Sequence, residues 1–176
     1  KIIPTQLLEK MVNLSDQEMT EVEVMIDNKD DFNKTVKDLA TEKNINRDLK
    51  IIGVTILTSL NDKSLKEIGY TKQVRHLVFK QASLIKKSGC DGIVCSAQEA
   101  KIVRKKYKKL DIITPGIRLP GESINDQSRV MTPKEAFKNK VSGIVMGRSL
   151  IKGNIKNNIQ RLIDHLSKWS KGLKSV

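Results

Sequence analysis

Three observations predict an α/β protein built on a parallel sheet. From Lys50 onward, apolar runs of strand length alternate with segments of helical periodicity. Each apolar run ends at a glycine or polar break, and the links between elements are short. A strand re-entering a parallel sheet must cross back through a helix, and such crossovers are right-handed. Four strands in about 120 residues is the cadence of a (β/α)8 barrel, whose units average roughly 30 residues. A complete barrel takes about 250 residues, and this chain has 176. The predicted fold class is therefore α/β, a partial (β/α)8 TIM barrel of about four to five βα units.

The elements follow in order. Lys1–Asn13 predicts a short amphipathic helix through Ile2, Ile3, Leu7, Leu8 and Met11, and Ser15 to Glu18 is a capping-box pattern. Val22–Ile26 alternates as a strand, and Asp31–Lys43 places Phe32, Val36, Leu39 and Ala40 on one helical face. Residues 1–49 are the poorly legible part, with room for one βα unit, and 50–176 carry the half-barrel. Ile51–Thr58 is a near-continuous apolar strand, as expected when both faces are covered. Ser64–Ile68 predicts a short helix closed by Gly69; Lys72–Lys87 a longer one, with Val74, Leu77, Val78, Ala82 and Ile85 inward and Gly89 as its stop. Gly92–Cys95 (strand), Gln98–Lys106 (helix), Leu110–Ile113 (strand), Thr132–Phe137 (helix), Gly143–Met146 (strand) and Asn157–Trp169 (helix) complete the pattern.

Composition limits the function. The 33 basic and 20 acidic residues give a net charge of +13, which invites a nucleic-acid reading. However, the lysines are spread along helical segments, and only 3% of residues are aromatic, leaving little to stack on bases. A nucleic-acid-binding domain therefore rests on charge alone, and neither nucleic acid nor membrane is an expected partner. Cys90 and Cys95 form no disulfide framework or metal knuckle, and Cys95 reads as a buried small hydrophobe. With no run of membrane-spanning length, the expected setting is the cytoplasm.

The stretch from Ile112 to Pro133 carries the chemistry. An apolar strand breaks at Pro115-Gly116, Arg118 follows, and a Gly/Ser/Asn/Asp-rich loop holds Gln127 and Arg129. Thr132, Pro133 and Glu135 then open a helix as N-cap, first helical residue and capping-box acid. A second strand stops at Gly147-Arg148. Consecutive strands that each end in an arginine point to a shared anionic ligand such as phosphate.

Val54-Thr-Ile-Leu-Thr-Ser59, Lys66-Glu-Ile-Gly69, Cys90-Asp-Gly-Ile-Val-Cys-Ser-Ala-Gln-Glu-Ala100, Thr114-Pro-Gly-Ile-Arg118, Asp126-Gln-Ser-Arg-Val-Met-Thr-Pro133 and Gly143-Ile-Val-Met-Gly-Arg148 stand in one unbroken order. Together they resemble the second half of orotidine 5′-phosphate decarboxylase, its last four to five βα units. The resemblance implies a metal-free, cofactor-free lyase converting orotidine 5′-phosphate to uridine 5′-phosphate (UMP) and carbon dioxide in pyrimidine synthesis. It assigns Thr58 to substrate contact, Arg118 and Gln127 to the loop that covers the nucleotide, and Gly147 and Arg148 to the phosphate.

The family's chemistry comes from an Asp-x-Lys-x-x-Asp motif and an upstream Lys on earlier strands, and this sequence lacks that motif. Its nearest counterparts are Asp27, Lys29 and Asp31, with Phe32 where the last Asp should fall. Only 25 residues separate Lys29 from Val54, too few for the intervening βα unit. The favoured reading therefore makes these acids a solvated helix start. The expectation is a truncated or degenerate decarboxylase that retains the nucleotide-binding half of the site, with turnover left open. The alternative is a catalytically inactive half-barrel that self-associates or only binds nucleotide. Expected partners are a nucleoside monophosphate and either a second copy, as a homodimer, or a complementing chain, because an open sheet edge needs cover. His76 and His165 read as surface or packing residues, Trp169 as an anchor for the last helix, Arg104–Lys109 as a solvated helix end, and Arg129 as a loop ion-pair partner.

Overall fold

The computed structural model describes residues 2–3, 21–25, 29–43, 48–123 and 129–173. Six strands form one sheet, β1 (Ile2–Ile3), β2 (Glu21–Met25), β3 (Lys50–Val54), β4 (Gly92–Val94), β5 (Asp111–Thr114) and β6 (Gly143–Ile144), in the spatial order β1-β2-β3-β4-β5-β6. Every pairing is parallel, with Val22 opposite Ile51, Gly53 opposite Ile93, Ile93 opposite Ile112 and Ile113 opposite Gly143. Between and after the strands lie α1 (Lys29–Lys43), α2 (Asp62–Glu67), α3 (Val74–Lys87), α4 (Ala97–Lys106), α5 (Pro133–Lys138), α6 (Arg148–Ile151) and α7 (Ile155–Leu173). Strands laid down strictly in chain order, with β2 to β6 each followed by helix, make a partial α/β barrel.

The core lies between strands and helices. Ile51, Ile52, Ile93 and Ile112 are at most 1% exposed, so β3, β4 and β5 are covered on their apolar faces. From α3, Val74, Val78, Ala82 and Ile85 face inward at helical spacing. This helix and β3 approach so closely that a Cβ added at Gly53 would lie 2.5 Å from Ile85 Cγ1, so position 53 must lack a side chain. On α1, Phe32, Val36 and Leu39 are buried as expected, whereas Ala40 is exposed. Gly69 and Gly89 follow α2 and α3 with φ of +92° and +89°, the left-handed geometry of a helix stop.

Four further expectations are corrected. Ile2–Ile3 pair with Glu23–Val24 as a strand, not a helix, because two β-branched residues fit a sheet edge as well as a helical face. The rest of that expected helix, and the Ser15–Glu18 box, lie outside the described residues. Strand β3 stops at Val54: Thr55 donates both its backbone N–H and its hydroxyl to Val94 O, and the chain then turns over the carboxy-terminal rim of the sheet. Strand β6 ends at Ile144, where Val145 N donates to Thr114 O and its side chain turns outward, 48% exposed. Finally, Arg104 is no solvated helix end. Its guanidinium donates to Lys140 O, Lys108 O, Leu110 O and Ser142 Oγ at 2.9, 2.8, 2.7 and 2.9 Å, tying α4 to the amino-terminal ends of β5 and β6.

Candidate functional site

Parallel strands bring their carboxy-terminal ends to one rim, and loops there are positioned by a rigid sheet. Thr58 follows β3, Arg118 follows β5, and Gly147 and Arg148 follow β6. The adjacency of β5 and β6 makes the Arg118 and Arg148 loops neighbours on that rim. Gln127 and Asp27 lie outside the described residues.

The loop after β5 is anchored at both feet. Gly116, at φ +74°, redirects the chain, and Ile117 then bridges in parallel to Met131. Arg118 N donates to Met131 O and Met131 N to Gly116 O, at 3.1 and 3.3 Å. Leu119-Pro120-Gly121-Glu122 closes as a turn. Pro120 and Gly121 (φ +82°) take its centre, Glu122 N donates to Leu119 O, and Leu119 N donates to Glu122 Oε2. Farther on, Thr132 caps α5 reciprocally with Glu135 and Pro133 occupies the first turn, as the sequence predicts. The two hydrogen bonds from the Thr132 backbone N–H and hydroxyl hold the Glu135 carboxyl below its usual range.

Arg118 is 7% exposed, and one hydrogen bond from its side chain is evident, Nη1 to Ile117 O at 2.9 Å. Among the described residues its Nε has no partner and no carboxylate pairs with it. Thr58 is also buried, whereas Gly147 and Arg148 are exposed. A Cβ added at Gly147 would meet no atom within 4 Å, so the space above that position is open. Lys29 and Asp31 sit exposed in the first turn of α1, after the carboxy-terminal end of β2.

Glu99 was not singled out by its sequence. It is 6% exposed in the first turn of α4, among the buried Ala97, Ala100 and Val103, and pairs with Arg129 Nη1 at 2.6 Å. The Arg129 Nη2 donates to Ile56 O and Leu57 O at 3.1 and 2.9 Å, so Arg129 is the expected ion-pair residue. An acid on the inward face of a helix is the signal that could have found Glu99, since buried carboxylates need a partner. Burial, with the Glu99 charge next, pushes the neighbouring Cys95 thiol up to about 12, so it is no nucleophile at neutral pH. His165 accepts a hydrogen bond from Lys134 N, in keeping with a packing role, and His76 is exposed. The Trp169 side chain lies outside the described residues.

A cleft of about 810 Å³ opens beside α2, α3 and α4, with Asp62, Arg75, Lys101, Glu99 and Arg129 among its lining. It touches the Glu99–Arg129 pair, but Thr58, Arg118, Gly147 and Arg148 do not line it. Among the described residues no helix is long and apolar enough to cross a membrane.

Known proteins with similar sequences make a consistent set. An orotidine 5′-phosphate decarboxylase of Coxiella burnetii is 46% identical over 101 residues, which is 57% of this chain and 43% of that protein. The same-named protein of Geotalea daltonii is 41% identical over 118 residues, 66% of this chain and 49% of its own length. The chain thus spans less than half the length of the curated relatives it matches. In three dimensions it resembles the orotidine 5′-monophosphate decarboxylase of Methanocaldococcus jannaschii, solved with the inhibitor BMP. That match has a TM-score of 0.59 and 19% identity, and covers 91% of this chain and 67% of the other, a likeness of fold. The sequence profile of the orotidine 5′-phosphate decarboxylase / HUMPS family matches residues 17–159, and the chain belongs to that family.

Proposed function

We propose that the rim formed by the ends of β3, β5 and β6 binds a pyrimidine nucleoside monophosphate, as the nucleotide-holding half of an orotidine 5′-phosphate decarboxylase site. The observation that carries this is Arg118. A guanidinium removed from water with no carboxylate partner among the described residues is costly, and an anionic ligand would supply the opposite charge. In this reading Arg148 and the backbone at Gly147 hold the phosphate, since a planar guanidinium matches phosphate oxygens and a glycine admits close approach. Arg118 and Gln127 cover the nucleotide and Thr58 contacts it. Orotidine 5′-phosphate is the proposed substrate and UMP the product, with turnover dependent on Lys and Asp groups whose nearest counterparts are Asp27, Lys29 and Asp31.

Titration with UMP, followed by thermal denaturation, tests the reading, because a ligand of the native state alone must raise the melting temperature. No rise at millimolar UMP would remove the nucleotide site. Arg148→Ala should weaken UMP binding at least about tenfold without lowering the melting temperature of the free protein; unchanged affinity would sink the phosphate assignment. Decarboxylation that disappears in Lys29→Ala would give the α1 turn a catalytic role, whereas binding without turnover favours the inactive half-barrel.

One surface feature supports the alternative of self-association. Ile151, Ile155, Ile159 and Ile163 recur every fourth residue along α6 and α7 and are 43–67% exposed. Sedimentation equilibrium showing only monomer at high protein concentration would dismiss it.

A further inference from the structure

Glu99 and Arg129 stand far apart in the sequence but pair in the fold, and through Arg129 the pair reaches the backbone that carries Thr58. Arg129 Nη2 donates to Ile56 O and Leu57 O, the two carbonyls immediately before Thr58. Its Nη1 holds Glu99 Oε2, in the first turn of α4, and the residue itself closes the long loop that begins at Arg118. One planar group therefore fixes the β3 loop, α4 and the β5 loop relative to one another. Among the described residues its side-chain bonds go to α4 and the β3 loop, away from β6, on which Gly147 and Arg148 depend.

We propose that the Glu99–Arg129 pair is a positioning clasp for the nucleoside end of the site, holding the Thr58 backbone in place while leaving the phosphate end independent. The inference rests on the nucleotide-binding reading above. A fork with fixed geometry suits the task, because it can satisfy a carboxylate and two carbonyls at once, and an ammonium cannot reproduce that spacing. Burial of both partners removes competition from water and keeps the clasp closed.

The test uses the full chain and the variants Arg129→Met, Arg129→Lys and Glu99→Gln, each titrated with UMP and, separately, with inorganic phosphate. Urea unfolding of the free proteins is measured alongside. All three variants should bind UMP at least about tenfold more weakly, with phosphate affinity held within about twofold. Arg129→Lys should fail to rescue, since it restores the charge without the fork. Unchanged UMP affinity in a folded variant would overturn the proposal. So would an equal loss for UMP and phosphate, or failure of all three variants to fold, since each makes the pair a general structural element. If the unaltered chain binds phosphate but not UMP, the nucleotide reading itself falls, a result separable from failure of the clasp.

Discussion

Replacing Arg104 with Met should destabilise the protein while sparing the proposed nucleotide site. Met keeps an apolar stem of similar reach but removes every donor, leaving Lys108 O, Leu110 O, Lys140 O and Ser142 Oγ without the guanidinium. Four intramolecular hydrogen bonds at a net of about 0.5–1.5 kcal/mol each bracket the loss at about 2–6 kcal/mol. Arg104 is only half-buried, so water can replace part of what is lost. That places the expected cost near the lower end, about 2–3 kcal/mol. For a chain of this size such a loss lowers the melting temperature by roughly 5–10 °C. Circular dichroism melts with and without UMP provide the assay. Because Arg104 staples the amino-terminal ends of β5 and β6, opposite the rim that carries Thr58 and Arg148, the rise produced by UMP should be the same in variant and parent. A variant melting within about 1 °C of the parent would show that these four bonds are exchanged for water without loss. A diminished UMP response would refute the separation of the two ends of the sheet.

Two other outcomes are expected. Cys95, fully buried and with its thiol pushed up to about 12, should resist iodoacetamide in the native protein at pH 8 and react only on unfolding; mass spectrometry of pulse-labelled samples reads this directly. Glu135→Gln should lose stability relative to the parent at neutral pH, and the gap should close in acid. The folded carboxyl titrates below its ordinary value of 4.5, so its contribution is present above that value and disappears as pH falls through the lowered one. Urea midpoints from pH 7 to pH 3 would show it, and a gap independent of pH would exclude the carboxylate as the cause.

The sequence was most legible where burial is two-sided. Ile51–Val54, Gly92–Val94 and Asp111–Thr114 stand out because a strand covered by helices must be apolar almost throughout. The same rule misled at the strand ends. Ile56 and Leu57 look like more of β3, but they turn over the rim, where their carbonyls meet Arg129 and Leu57 is 44% exposed. Two-residue strands such as Ile2–Ile3 are too short to show any period. At the site, glycine breaks and arginines announced the loops, and Thr132–Glu135 announced the helix that ends one of them. The partner of Arg129 was hidden because an acid in a helix's first turn is ordinarily explained by the helix itself. Arg104 was hidden for a similar reason: inside a run of lysines its guanidinium looks like one more solvated charge.

The ordering of the sheet carries a consequence for how the chain can be built. Every strand pairs with its predecessor and successor in the sequence, so no pairing in β1 to β6 must wait for a remote segment. On a growing polypeptide each new strand would find its docking edge already in place, and each closure spans a single crossover whose entropic cost rises only slowly with length. Assembly by accretion of this kind advances at one growing edge. It also confines the effect of an insertion to the crossover that receives it, leaving the register of the remaining strands untouched.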